Sequence, residues 1–246
     1  VSDASASDLI PQGLNLTDSD SIAVGGLVVR NELEGGATAR IDQGTVSGAS
    51  VTVDAQSRTQ LDATSEGIVE SSGGSAFGTD VSLAINAMIV SNSVTGSALA
   101  EITGAGVTTT SGGLSVFARN DARVNALLNS VTQSGDTAVG VVLAFNTLGY
   151  APTNLLNQTV DALVGTSLGT KDAAEAIARI TGGTQIVAGD LTVEADNVAQ
   201  LNATLSNAAS SAASALYGAT AAAAGVVLAP NMLAAGADAR NSNPTA

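Results

Sequence analysis

The stretch "GLSVFARNDARVNALL", Gly113 to Leu128, decides the fold. Every second residue from Leu114 is small or apolar with one exception: Leu114, Val116, Ala118, Asn120, Ala122, Val124, Ala126, Leu128. Between them stand Ser115, Phe117, Arg119, Asp121, Arg123, Asn125 and Leu127, mostly polar, so an extended chain here has one dry face and one wet face. The alternation runs about three times the length of an ordinary strand of roughly five or six residues. It recurs in "DLTVEADNVAQLNATL", Asp190 to Leu205, whose dry set Leu191, Val193, Ala195, Asn197, Ala199, Leu201, Ala203, Leu205 matches at seven of eight positions. A looser copy runs Val51, Val53, Ala55, Ser57, Thr59, Leu61, Ala63, Ser65.

A second element repeats beside it. "GGLVVRNEL" from Gly25, "DVSLAINAM" from Asp80, "GVVLAFNTL" from Gly140 and "GVVLAPNML" from Gly225 align on Asn31, Asn86, Asn146 and Asn231. An Ala-x-Ala-x-Ile phrase follows at Ala37, Ala39, Ile41, at Ala98, Ala100, Ile102, and at Ala176, Ala178, Ile180; the last copy keeps Ala237 and Ala239 but has Asn241 in the Ile position. Tandem units that bury their apolar faces only by stacking on one another make a solenoid. We therefore expect an all-β fold, a parallel β-helix, with a lead-in segment at 1–20 and one solenoid over 21–246. Its units are 21–73, 74–135, 136–211 and a half unit 212–246, whose last rung leaves an open edge for another copy or more of the same polypeptide to cap.

Each unit is expected to wrap about three rungs of roughly 20 residues, about 4.8 Å apart. Asn120 and Asn197 mark the expected corner at which the long alternation passes from one wall to the next. An insert at 149–175 interrupts the third unit, and Leu155, Leu156, Val160, Leu163 and Val164 fall on one helical face between Pro152 and Gly165, which predicts a short helix over 153–164. From Ala174 the repeat phrase predicts strand.

Composition fits a narrow interior. Of 246 residues 45% are hydrophobic but only 2% aromatic, with no Trp, so small side chains must fill the core. The net charge of −14, from 22 acidic and 8 basic residues, opposes nucleic acid and anionic membranes as partners. The absence of Cys and His removes disulfides, thiolate and imidazole metal sites, and Ser-His or Cys-His catalytic pairs. The opening "VSDASASDLIPQ" has neither a basic region nor a long apolar run, as expected of a mature or excised chain. Ala212 to Ala229 has the length of a membrane span. Ser214 and Thr220 break it, and it reads as a repeat element of a soluble coil.

The residues "AVGVVLAFN" (from Ala138), "AEAIARITGGTQIVAGDLTVEADN" (from Ala174) and "AQLNATL" (from Ala199) resemble the degenerate repeats of giant secreted bacterial proteins, the filamentous haemagglutinin-like and leukotoxin-like filamentous adhesins. The resemblance covers most of Ser21 to Arg240, and the insert departs from it. It implies a right-handed coil, an extracellular or cell-surface location and a role in adhesion or filament building, and it carries no catalytic motif.

Candidate sites are few. The four Asn side chains are expected to form an internal ladder of stacked amides that satisfies buried polar groups, with a ligand-binding row as the other reading. Asp18 and Asp20 in "LTDSDS" offer oxygen ligands to Ca²⁺, without the Gly and bidentate Glu of an EF-hand; a solvated turn is the simpler account, and no cofactor is expected. Asp190, Glu194 and Asp196 crowd together as glycosidase carboxylates would, but with no aromatic residue to stack a sugar. Thr108 and Thr110 form a lone Thr-x-Thr pair, not an ice-binding plane, and the sequons at Asn15, Asn157 and Asn202 matter only in a glycosylating host.

In the Asn-bearing element both alternating sets are apolar, which predicts an outer contact stripe through Leu83, Ile85, Leu143 and Phe145. These features point to a non-enzymatic structural or adhesive module that associates end to end and laterally with copies of itself or with adjacent repeats of a larger chain. A carbohydrate-active β-helix enzyme or tailspike-like depolymerase is the alternative, and the host-surface or matrix ligand stays open.

Overall fold

Period-2 alternation leaves each strand with one face to bury, and the chain does this by coiling. The computed structural model describes residues 20–72, 81–151, 171–212 and 221–242, and the helix expected at 153–164 lies outside them. Each turn of the coil has three parts. A long front strand, β1 (Ser21–Asp42), leads through a short end strand, β2 (Thr45–Gly48), into a long return strand, β3 (Val51–Ser71). The second turn repeats this as β4 (Ser82–Thr103), β5 (Gly106–Thr109) and β6 (Leu114–Ser134). In the third the front strand is split into β7 (Thr137–Leu148) and β8 (Ala174–Thr181), followed by β9 (Gln185–Val187) and β10 (Leu191–Ser211). A fourth front strand, in the pieces β11 (Ala222–Leu228), β12 (Asn231–Leu233) and β13 (Ala235–Asn241), ends the described chain.

Stacking gives a seven-stranded front sheet and three-stranded end and back sheets, with all neighbouring strands parallel. This is an all-β parallel solenoid, and among the described residues it has no helix. Its rungs differ from the expected ones. One repeat makes one rung, not three: axial neighbours in the Asn row lie 61, 54 and 85 residues apart. Front and back strands of 21 or 22 residues explain why. A 20-residue rung would need a corner where these strands run straight on.

The corners lie elsewhere. The front wall turns into the end wall at Gln43, Gly104 and Gly182, which have φ of 51°, 56° and 73°. The left-handed region favours Gly, so Gln43 is the strained member of this column. Successive corners are joined by Gln43 N–H to Thr103 O at 2.9 Å and Gly104 N–H to Thr181 O at 3.1 Å.

Side chains between the two long walls form three apolar clusters. One, near the end wall, packs Val53, Ala98, Ile102, Val116 and Ile180. A second packs Val94, Ala122, Val124 and Leu148, and a third Met88, Val90, Leu128 and Val142. Ala, Val and Leu dominate, as the lack of aromatics required. The clusters are not continuous, because rows of amide side chains cross the interior between them.

At the rim opposite the end wall, hydroxyls close the coil. Ser21 bonds Ser71 at 3.0 Å, Ser71 bonds Ser82 at 3.1 Å and Ser82 bonds Ser134 at 3.0 Å, a chain that zigzags between the end of one rung and the start of the next.

Candidate functional site

The central row begins at Asn31. Its Nδ2 donates to Asn92 Oδ1 at 2.8 Å, Asn92 Nδ2 to Asn146 Oδ1 at 2.8 Å, and Asn146 Nδ2 to Asn231 Oδ1 at 2.9 Å. Asn92 and Asn146 are fully buried. The ladder member in the second rung is thus Asn92, and the alignment on Asn86 is corrected by six residues: Asn31 pairs with Asn92, while Gly25 pairs with Asn86. Both asparagines point inward, so parity could not separate them. A usable signal was present: Asn31, Asn92 and Asn231 each stand six residues before the Ala-x-Ala phrase, whereas Asn86 stands twelve before it.

Asn86 has a different task. It sits in a column with Gly25 and Gly140, and Gly225 continues that column. Its Nδ2 donates to Gly67 O and Ser130 Oγ, both at 3.2 Å, on the back wall. Asn207 makes the reverse crossing from the back wall, donating to Gly140 O at 3.0 Å and Val226 O at 3.1 Å. Gly140 is required because a Cβ there would stand 2.6 Å from Asn207 Oδ1.

Asn120 lies inside, fully buried and in register with Asn197. β6 runs unbroken through it, so it stands within one wall and marks no corner. Its Nδ2 donates across the interior to Gly96 O at 3.2 Å and along the axis to Asn197 Oδ1 at 3.4 Å. Asn197 Nδ2 in turn reaches Ala174 O at 2.5 Å and Gly236 O at 2.6 Å. The Asn on the dry face is therefore a strut between walls, and it separates two apolar clusters.

Outside, the back wall carries a similar row in water: Asn202 Nδ2 donates to Asn125 Oδ1 at 2.9 Å and Asn125 Nδ2 to Asp62 Oδ1 at 2.7 Å. Asn125 and, second, Gln60 hold the Asp62 carboxyl below its ordinary value. On the outer front wall Glu101 lies between Arg179 Nε at 2.7 Å and Arg40 Nε at 3.2 Å. Of the crowded carboxylates, Asp196 is paired with Arg119 at 2.6 Å. Thr108 lies in β5 between Ser47 and Val187, so no second Thr extends that pair. Asp18 lies outside the described residues; Asp20 Oδ1 accepts the Val81 N–H at 3.0 Å, and among the described residues no three acidic side chains gather as metal ligands would.

The contact stripe needs correction. Leu83 pairs with Thr137 and Ile85 with Val139, whereas Leu143 pairs with Ile89 and Phe145 with Ser91, so the four residues do not form one stripe. Phe145 points outward yet is fully buried, and Ser91, Ser93 and Thr147 beside it are buried too. Where the chain leaves and re-enters the wall, Ser93 Oγ donates to Tyr150 O at 3.4 Å, and Tyr150 forms an antiparallel bridge with Lys171.

A shallow depression of about 280 Å³ on the outer back wall is lined by Arg58, Thr59, Gln60, Asp121 and Arg123. Its single carboxylate, Asp121, is engaged by Arg123 at 2.8 Å. Among the described residues no helix is long and apolar enough to cross a membrane. No protein-family model matches the chain, and no curated protein or solved structure matches it.

Proposed function

We propose that the chain is a non-enzymatic structural module, a segment of a right-handed extracellular β-solenoid that builds a surface filament or adhesin. One observation carries this reading: a row of side chains passes through every described rung, and the outermost described strands are paired on one side only among the described residues. Among the described residues β1 and β3 pair only inward, with β4 and β6, and β10 pairs only with β6. Edges of this length are templates for further strands, which soluble monomers normally blunt.

The catalytic alternative asks for two carboxylates at a set separation in a cleft. The depression at Arg58 and Asp121 offers a single, ion-paired one, and no observation favours that reading.

Electron microscopy with fibre diffraction of the purified chain tests the proposal. Filaments with an axial repeat of about 4.8 Å support it. A dispersed monomer that cleaves polysaccharide would overturn it.

A further inference from the structure

The outer face of the front wall has two halves. At Ser91, Ser93, Thr95, Phe145 and Thr147 it is covered in the second and third rungs. Before them the positions level with 22, 24, 26 and 28 form four columns across four rungs, and no residue in this block is charged. All are aliphatic or Gly except Thr137. Ile22, Val24 and Val28 are 68%, 72% and 65% exposed, and Val226 is 52% exposed. The same face farther along carries Arg40, Glu101 and Arg179, and the outer back wall carries Asp54, Arg58, Arg119 and Asp196.

Four strands at about 4.8 Å and seven residues at about 3.3 Å make a block of about 450 Å². That is at the upper range of apolar patches on soluble monomers, where a patch marks an interaction site. Parallel sheets are ordinarily covered on both faces, and two sheets pack face to face at about 10 Å.

We propose that this block is a lateral docking face for a second copy of the chain, the two blocks meeting face to face. The contact is isologous, because the same columns meet in both copies, and it closes at two. Its chemistry selects the occupant. A lipid surface calls for Trp, Tyr and basic residues around the patch. The chain has no Trp, two Tyr and one Lys among 8 basic residues, with a net charge of −14. An electrostatically matched partner has no charge in the block to read. Two blocks bury about 900 Å² between them, below the 1,200 Å² or so of stable complexes, so one pair forms a weak dimer. The block recurs in every rung, and each further rung would widen the contact. Because like-charged copies must approach, added salt strengthens the contact. The inference deepens the lateral part of the structural reading but does not need filaments to be correct.

Sedimentation velocity on the intact chain from about 5 to about 500 µM, at low and high salt, tests it. The expected result is a monomer–dimer equilibrium that tightens with salt and weakens at least tenfold in a Val24→Asp, Val28→Asp variant. Both sites are exposed, so circular dichroism should show an unchanged sheet. Leu127→Asp, exposed on the outer back wall, should leave the equilibrium unchanged. A wild-type chain that stays monomeric throughout, a dimer indifferent to the Val24/Val28 change, or binding to phosphatidylcholine vesicles that the same change abolishes would each overturn the proposal. Filaments formed by a wild-type chain that shows no salt-strengthened lateral dimer would sink this face while leaving the structural reading intact. Salt-strengthened dimers in a chain that cleaves polysaccharide would do the reverse.

Discussion

Two rows of amides run along this coil, one inside and one outside. The inner row, Asn31, Asn92, Asn146 and Asn231, and the outer row, Asp62, Asn125 and Asn202, have similar axial spacing and nearly the same donor–acceptor distances, 2.8 to 2.9 Å against 2.7 to 2.9 Å. The outer row ends on a carboxylate, Asp62, and the larger difference is in their surroundings. Outside, water offers each amide an equivalent partner, so the row is worth little. Inside, a missing partner leaves a desolvated polar group, and the cost of breaking the row far exceeds what forming it contributes. A core of Ala, Val and Leu tolerates a shift of two residues with parity intact, whereas the amide row does not. The inner row therefore acts as a register lock, and the outer row is a consequence of that register.

The largest test of this contrast is Asn92→Leu, which strands the Asn31 amide and the Asn146 carbonyl. The unfolding free energy should fall by about 3–5 kcal/mol, at about 1–3 for each unsatisfied group plus the misfit of Leu, as read by urea denaturation. A loss below about 1 kcal/mol would show that the row locks nothing.

Next is Gly140→Ala, where the new Cβ meets the Asn207 carboxamide in the neighbouring inner row. Overpacking of this kind costs about 1–3 kcal/mol, and Gly26→Ala is its control because a Cβ there meets nothing within 4 Å.

Glu101→Gln probes the intermediate case, an outward carboxylate buried beneath two arginines that are themselves one-third to one-half exposed. Discounted for that exposure, the loss should be about 1–2 kcal/mol and should shrink in high salt.

Asn125→Ala breaks the outer row at its centre and should cost no more than about 0.5 kcal/mol by the same measurement. An effect equal to that of Asn92→Leu would erase the distinction between the rows.

The finest test is the Asp62 carboxyl, followed by NMR through acid titration. Its value is held down in the fold, so its stabilising effect is present above the ordinary carboxylate value and is lost as pH falls through the folded one. In the Asn125→Ala chain it should move back up towards the ordinary value.

The inward columns of the back wall were legible residue by residue. Leu114 to Leu128 pairs with Leu191 to Leu205 and with Val51 to Ser65 in the register that alternation and identity dictate. The Ala-x-Ala-x-Ile columns of the front wall were legible too, because three copies share their spacing. The assignment of Asn86 failed where local similarity, "LAIN" against "LAFN", outweighed the distance to the next phrase. The register of the outer stripe slipped with it, since the same shift of six residues separated Leu83 from Leu143; Leu83, Ile85 and Leu143 share the uncharged block, whereas Phe145 is buried.

By itself, then, the sequence determined which residues face inward, that the units stack in parallel, and that small side chains fill a narrow interior, because period-2 alternation and composition are local properties of the chain. Only the tertiary structure decided how many residues make a rung, which of two inward asparagines joins the row, and that Phe145 is covered while Val24 and Val28 are bare. Alternation sets parity and is blind to shifts by an even number of residues. The choice among them falls to loop closure, to hydrogen bonds between residues 54 to 85 apart, and to what lies across the wall.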